Sequence, residues 1–101
     1  MEGLEITHTI TDGHLHLALQ GRLDSISAPQ LLELFQNMTG EQQICQITVS
    51  AGELEYISSA GLRVILRMIK HVGQGNLMLE HPTELVLSIL EQTGFSDMLG
   101  L

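Results

Sequence analysis

The sequence has few aromatic residues and few basic ones. It contains no Trp, one Tyr and two Phe, so it lacks the aromatic platforms on which proteins stack nucleic-acid bases or sugar rings. Four Lys and Arg residues stand against 12 Asp and Glu, which gives a formal net charge of -8, and counterion release from a phosphate backbone cannot drive binding to such a surface. These two shortages argue against nucleic acid as a partner and favour a protein.

Cysteine and long apolar runs are also scarce. A single cysteine, Cys45, is present, which excludes an internal disulfide, and its place in the apolar run of residues 44–49 predicts a buried, unreactive thiol. No stretch approaches the roughly 18 to 20 consecutive apolar residues that a membrane span requires, and no basic segment followed by an apolar run opens the chain. We therefore expect a cytoplasmic protein with no direct membrane insertion.

The chain does contain a regular hydrophobic pattern. Its 101 residues, 44% of them apolar, suffice for one hydrophobic core, so we expect a single domain over residues 1–101. Residues 4–10 alternate in polarity, as do residues 14–20, and this period of two is typical of strands. Asp12-Gly13 between them supplies the positive φ angles of a tight turn, so the chain is predicted to open with a β-hairpin.

Helices and strands alternate after the hairpin. Ser27, followed by Pro29 and Gln30, predicts a capped helix start, and Gly40 is placed to end that helix in a left-handed cap. The run 44–49 predicts a central strand covered on both faces by helices. A helix over about 60–71 and a strand over 76–80 are predicted next. Pro82 then opens a further helix, which is capped by Gly94 and buries Leu85, Val86, Ile89 and Leu90. The tail over 95–101 is expected to dock on the rest of the domain. This order predicts an α/β fold with a small mixed sheet covered by helices.

Two adjacent serines mark the junction between the central strand and the second helix. Ser58 and Ser59 stand at the predicted amino end of that helix, where a hydroxyl accepts hydrogen bonds from free backbone N–H groups. The positive end of the helix dipole would also stabilise a phosphate placed there. The spacing alone favours plain capping and leaves phosphorylation as the alternative.

Three segments resemble one known family. Tyr56-Ile-Ser-Ser-Ala-Gly-Leu-Arg63 is similar to the signature loop of STAS domains, the family of the anti-sigma factor antagonists and of related transporter tails. Gly21-Arg-Leu-Asp24 resembles the family's Gly-x-Leu-Asp segment before the first helix, and Thr93-Gly-Phe95 resembles its C-terminal helix junction. The resemblance covers essentially the whole chain and implies a STAS-like fold.

The resemblance also implies roles for particular residues. The phosphoacceptor of the antagonists lies two residues before the loop glycine, here Gly61, so the acceptor falls on Ser59, with Ser58 as second choice. The residues then expected to bind the partner are Asp24, Ser58, Ser59, Gly61 and Arg63. Asp24 also begins an Asp-Ser-Ile-Ser segment that can form a local turn unaided, so both roles stay open for it.

The function implied by the resemblance is a phosphorylation-regulated anti-sigma factor antagonist in a partner-switching pathway. Its partner would be an anti-sigma factor that is also a serine kinase of the histidine-kinase-like ATPase type, and a serine phosphatase would reverse the modification. ATP and the catalytic groups would belong to the kinase, so neither enzymatic activity nor a cofactor is expected of this chain. The alternative is a STAS scaffold that binds without phosphorylation, such as a subunit of a lipid-trafficking ABC transport complex in a membrane.

Two further clusters leave alternatives of their own. Arg63, Arg67 and Lys70 recur at helical spacing on one side of the second helix, which is either a solvated face or a contact for an acidic patch on a partner. His14 and His16 share one strand face, but no cysteine or carboxylate pattern completes a four-ligand set, so no metal is expected. The sequence also has no Gly-x-Ser-x-Gly elbow, which argues against a serine hydrolase.

Overall fold

The computed structural model describes residues 3–101 as a four-stranded sheet with helices packed against one of its faces. In chain order the elements are β1 (Leu4–Thr11), β2 (His14–Leu23), α1 (Ala28–Glu41), β3 (Gln46–Ile57), α2 (Ser59–Val72), β4 (Leu77–Glu80), α3 (Glu84–Gln92) and α4 (Phe95–Met98). The strand order is β1-β2-β3-β4, with β1 antiparallel to β2 and the other neighbours parallel. The predicted α/β class with a mixed sheet is confirmed.

β1 and β2 form the predicted hairpin. Asp12 (φ 51°) and Gly13 (φ 80°) both adopt positive φ, the geometry of a two-residue turn whose twist matches that of the flanking strands. Thr11 pairs directly with His14 across this turn. The Asp-Gly pair thus sets the register of the first two strands.

The core lies between the sheet and the helices. Rows of aliphatic side chains cross the sheet: Leu15 pairs with Ile47, which in turn pairs with Leu77, and all three are buried. The helices contribute buried side chains that close the core from the other side: Leu31, Phe35, Ile65, Met68, Ile69, Val86 and Leu90. Because strand side chains alternate between faces, this packing covers one face of the sheet.

The opposite face of the sheet exposes His16, Ser50 and Met78, although Thr48, which pairs with both His16 and Met78, is itself buried. The prediction that helices cover both faces of the central strand is therefore wrong. Ile47 and Val49 point into the core at alternate positions, and the residues between them belong to the other face. A short apolar run hides this period of two, because its composition does not distinguish a strand buried on one face from a strand buried on both.

β3 begins later and extends further than predicted. It spans Gln46–Ile57 instead of residues 44–49, because it continues alongside β2 through a shift in register. Cys45 lies just before the strand and is exposed, so the predicted buried thiol is wrong. The Cys45 N–H donates to Gly13 O at 2.8 Å, and the neighbouring Ile44 takes the buried position instead.

α1 passes through Gly40 and ends one residue later. The predicted left-handed cap at Gly40 is wrong: the capping position is Gln42, which is extended and whose N–H donates to Met38 O at 2.9 Å. Glycine permits a left-handed cap but does not impose one, and here the helical hydrogen bonds simply continue past it.

α3 is capped by Thr83, one residue after Pro82. The Thr83 Oγ1 accepts from Val86 N–H at 3.3 Å and lies 3.3 Å from Leu54 O, so it joins the helix start to β3. The prediction that Pro82 opens this helix is wrong, because Pro82 lies before the capping residue. Leu85, predicted to be buried, is 53% exposed because α3 packs through its Val86 side.

Gly73 (φ 97°) is the residue that ends α2. The capping residue at the end of α3 is Thr93, one residue earlier than the predicted Gly94 cap, and Gly94 (φ 82°) follows in the left-handed conformation and separates α3 from α4. The tail docks through Leu99, which is buried, with Phe95 packed against the core. Among residues 3–101, no helix combines the length and apolar character needed to traverse a bilayer.

Candidate functional site

The segment that ends at Asp24 and the loop that carries Ser58 and Ser59, here called the serine loop, meet at one edge of the sheet. β2 and β3 are parallel, so both end at this edge, where Leu23 pairs with Ile57. The Ser58 N–H donates to Leu23 O at 2.9 Å and joins the two strand ends directly. Asp24 and Ser58 therefore begin adjacent loops at the carboxyl ends of the strands, the edge at which sheets of this class hold their ligands.

Ser58 and Ser59 occupy different positions at the start of α2. Ser58 is the capping residue, with an extended backbone (φ -99°, ψ 176°), and its Oγ accepts from Gly61 N–H at 3.3 Å. Ser59 is the first residue of the helix and is exposed. The geometry gives the capping role to Ser58 and leaves the Ser59 hydroxyl facing solvent.

Gly61 allows α2 to approach the end of β2. A Cβ atom at this position would lie 2.7 Å from Leu23 Cγ, 2.9 Å from Leu23 O and 3.0 Å from Ile57 Cγ1. Real Cβ atoms essentially never come so close to a backbone oxygen, so a larger residue would push the helix away from the strand ends. The role that the structure gives Gly61 is therefore to hold the serine loop against the Asp24 turn.

Asp24 builds the turn between β2 and α1. Its Oδ1 accepts from Ile26 N–H at 3.0 Å and from Ser27 N–H at 3.1 Å, while its own N–H donates to Ser27 Oγ at 3.0 Å. The turn role that the sequence left open is thus present. Ser27 occupies the capping position at the start of α1, as predicted, but its Oγ donates to Arg22 O at 2.7 Å and accepts from no N–H of the helix.

The Asp24 carboxylate is stabilised in its charged form. The N–H groups of Ser27 and Ile26 that bond to it hold the pKa of Asp24 below its ordinary value of 3.8, with a smaller contribution from Arg22. The Arg22 Nε lies 3.8 Å from Asp24 Oδ2. At neutral pH the edge therefore presents a negative charge beside the serine loop.

Sequence reasoning missed two features of this edge. Arg22 stacks on Tyr56, with its guanidinium carbon 4.5 Å from the ring centroid, a contact that follows from their pairing across the parallel strands. Ile26, inside the Asp24 turn, is 88% exposed. The signal for Ile26 was visible in the sequence, since an isoleucine is unusual in a turn made of aspartate and serines.

The basic side chains of α2 form an exposed stripe that continues from the serine loop. Arg63, Arg67 and Lys70 are all exposed, as their spacing predicted. Within residues 3–101 the ion pair that forms is Arg22–Asp24, so the three stripe residues bond to no carboxylate there. The stripe stays open either to solvent or to an acidic partner.

The two strand histidines form a different arrangement. The rings of His14 and His16 stack with centroids 4.0 Å apart, and His14 Nε2 lies 2.7 Å from Thr48 Oγ1. In the part of the chain that the structure describes, no three His, Cys, Asp or Glu side chains come together as potential metal ligands. The pair lies on β2, near its start and away from the serine loop.

Comparison with known proteins gives one family and one curated relative. The family model described as "Mlab, STAS domain" matches residues 6–100. A Bordetella bronchiseptica protein named "Putative anti-sigma factor antagonist BtrV" is 38% identical over 96 residues, which cover 91% of this chain and 80% of that protein. Both matches include the Asp24 turn and the serine loop.

Solved structures of low sequence identity share the fold. The unphosphorylated anti-sigma factor antagonist SpoIIAA superposes with a TM-score of 0.81 at 16% identity, covering 94% of this chain and 84% of that one. An anti-sigma factor antagonist from Mycobacterium paratuberculosis gives 0.76 at 14% identity, over 95% and 82% of the two chains. The phosphorylated form of SpoIIAA from Bacillus gives 0.71 at 15%, over 94% and 86%. At such identities these matches establish the fold alone.

Proposed function

The chain belongs to the STAS family, and from that premise we propose that it is an anti-sigma factor antagonist switched by phosphorylation of Ser59. The observation that carries the proposal is the placement of Ser59, an exposed hydroxyl at the first residue of α2 beside the Asp24 turn. The name of its relative BtrV supports the same role. Asp24, Ser58, Ser59, Gly61 and Arg63 form or fix the surface that meets the partner.

In its unphosphorylated form the protein binds an anti-sigma factor and frees the sigma factor held by it. The anti-sigma factor is also the kinase, of the histidine-kinase-like ATPase type, and brings both ATP and the catalytic groups. The Ser59 Oγ forms a bond to the γ-phosphorus of ATP while the bond to ADP breaks, and the hydroxyl proton passes to a base on the kinase. A serine phosphatase later hydrolyses the phosphoserine. This cytoplasmic single-domain chain is a substrate and a ligand rather than an enzyme, and it needs no cofactor.

Phosphorylation acts through charge at the interface. A phosphate adds about 1.5 to 2 negative charges at neutral pH together with a tightly held hydration shell. If repulsion and desolvation together weaken binding by about 3 kcal/mol, the affinity falls roughly a hundredfold. That change is sufficient to exchange partners at fixed protein concentrations, and it needs no change of fold.

The domain itself tolerates the phosphate. Ser59 stands at the positive end of the α2 dipole, where free backbone N–H groups favour negative charge. Arg63 follows one helical turn later, at a spacing that brings two helical side chains together. We therefore expect phosphorylation to change the free energy of unfolding by no more than about 1 kcal/mol.

Mass spectrometry of the protein from the cells that make it tests the modification. Cleavage after Glu55 and Glu80 releases a peptide in which Ser58 and Ser59 are the only serines or threonines, so a phosphate there has few possible positions. Fragmentation then separates Ser59 from Ser58 and Tyr56. Phosphate on Ser59 is the expected result.

Binding measurements test the switch itself. The partner kinase, purified from the same cells by its activity on Ser59, is titrated with the Ser59→Ala and Ser59→Asp proteins. We expect Ser59→Ala to bind like the unphosphorylated wild type and Ser59→Asp to bind at least about tenfold more weakly. Equal affinity of two folded variants would sink the idea of a charge switch.

The alternative is the constitutive scaffold subunit. It shares the exposed edge but makes no use of the Ser59 hydroxyl as an acceptor. Two results together would establish that role instead. The peptide that contains Ser59 would be well observed but carry no phosphate under any growth condition, and membrane transport subunits would co-purify with the protein.

A further inference from the structure

Ile26 is the most exposed large hydrophobic side chain in residues 3–101. Its exposed fraction is 88%, against 56% for Met78, 53% for Leu85 and 45% for Leu101. Partly exposed aliphatic residues are common on protein surfaces, but one that is almost wholly in water gains nothing from the fold. The side chain of Ile26 therefore contributes little to stability.

The backbone beneath Ile26 is held firmly. The Ile26 N–H donates to Asp24 Oδ1 at 3.0 Å, and the next residue, Ser27, is 5% exposed and bonds to Arg22 O. Turns of this kind are usually filled by Gly, Asn, Asp or Ser, and nothing in these bonds requires an aliphatic side chain at position 26. The turn holds a branched apolar side chain outward in a fixed place, which lowers the entropy lost when a partner buries it.

The turn that carries Ile26 adjoins the loop of the proposed phosphoacceptor. Asp24 follows Leu23, whose carbonyl accepts from Ser58 N–H at 2.9 Å. The Asp24 turn, which contains Ile26, and the serine loop therefore adjoin at one edge of the sheet. A kinase must cover the Ser59 hydroxyl to modify it. A protein that does so lies next to the Asp24 turn, in which Ile26 is exposed.

We propose that Ile26 is the apolar anchor through which the anti-sigma factor kinase recognises this protein. The inference rests on the proposed function and adds the partner's chemistry: an apolar pocket that receives Ile26, bordered by groups that meet the Asp24 carboxylate and the Ser59 hydroxyl. An apolar centre surrounded by polar groups is the arrangement in which a single side chain dominates binding.

The test compares Ile26→Ser with a matched control, Leu85→Ser, which removes another exposed aliphatic side chain from α3. The probe is the kinase purified by its activity on Ser59. We expect Ile26→Ser to raise the Kd for that kinase, and the KM for phosphorylation of Ser59, by about 10- to 100-fold. Leu85→Ser should change both by about twofold or less. Ile26→Val, which keeps most of the apolar surface, should restore binding.

The outcomes separate this inference from the function on which it rests. Urea denaturation establishes that each variant is folded, and Ile26→Ser should keep the wild-type midpoint because its side chain is exposed. If the kinase phosphorylates Ser59 but binds Ile26→Ser as it binds wild type, or loses as much affinity with Leu85→Ser, the anchor is wrong and the switch stands. If the cells contain no kinase activity on Ser59, both are wrong.

Discussion

The two ends of the sheet are closed by different kinds of bonds. At the end where β2 and β3 begin, the backbone closes the loops on itself: Gly13 O accepts from Cys45 N–H at 2.8 Å, and Ile47 N–H donates to Asn76 O at 2.9 Å. Those loops reverse the chain direction through residues at positive φ such as Gly13. One side chain adds to these bonds, that of Asn76, whose Nδ2 donates to Val72 O at 2.9 Å.

At the end where these strands finish, side chains and close packing fix the loops. Asp24 and Ser27 bond within one loop, Ser58 caps the next, and Gly61 brings α2 against the strand ends. Chain reversal does not need this many constraints. The difference indicates that the carboxyl edge is built to hold outward-facing groups in place, whereas the loops of the opposite edge join successive elements mainly through backbone bonds.

Among the substitutions that test this difference between the two edges, enlarging Gly61 should have the largest effect. Gly61→Val places side-chain atoms against Leu23 and should lower the free energy of unfolding by about 2 to 3 kcal/mol, measured by urea denaturation. The control is Gly40→Ala, also within a helix but with open space around it, which should raise stability by about 0.5 to 1 kcal/mol. A Gly61→Val protein as stable as wild type would show that the close approach is unimportant.

Replacing each of the two serines separately by alanine tests the division of roles between Ser58 and Ser59. Ser58→Ala removes the α2 cap and should lower the free energy of unfolding by about 1 kcal/mol, whereas Ser59→Ala should stay within about 0.5 kcal/mol of wild type. Thermal denaturation of both variants measures this. Phosphorylation should show the reverse order, with Ser59→Ala losing the modification and Ser58→Ala keeping it. Larger destabilisation by Ser59→Ala would contradict the assignment of the cap.

The charge on Asp24 gives the carboxyl edge an acid sensitivity. Hydrogen bonds hold the Asp24 pKa below 3.8 in the folded protein, so the unfolded chain binds a proton more readily than the folded one. The stabilisation is therefore present above pH 3.8 and is lost as the pH falls through the lower folded-state pKa. In urea titrations between about pH 5 and about pH 2, Asp24→Asn should lose stability less steeply than wild type. Identical slopes would remove Asp24 from the acid response.

The smallest expected effect concerns the basic stripe of α2. If Arg63, Arg67 and Lys70 face an acidic patch on the kinase, Arg67→Glu should slow association about threefold at low salt, and the difference should shrink at high salt. Stopped-flow mixing at two salt concentrations measures this. An unchanged rate at both concentrations assigns the stripe to solvent.

The sequence predicted the features that depend on neighbouring residues. The Asp12-Gly13 turn, the extent of α2 and the position of the serine loop all follow from local turn chemistry and short-range periodicity. The buried face of α2, which includes Leu62 and Ile65, likewise follows from the helical spacing of apolar residues along this one segment.

What the sequence did not predict depends on pairing between distant segments. Cys45 is exposed because β3 starts after it, and the length of β3 is set by its register with β2. The stacking of Arg22 on Tyr56 follows from that same register. At the site, the family motif indicated Asp24 and Ser59, but the bonds that separate the capping serine from the exposed one needed three-dimensional structure.

The unequal lengths of β3 and β4 have a consequence for aggregation. Within residues 3–101, β4 pairs with β3 over Ile47–Ser50, and no described strand pairs with the second half of β3 on that side. An open strand edge is where a second chain can add. Thr83, the residue before α3, donates to Leu54 O and so occupies one backbone acceptor of this stretch. We expect the start of α3 to hinder the pairing of a second chain with the strand that leads to the serine loop.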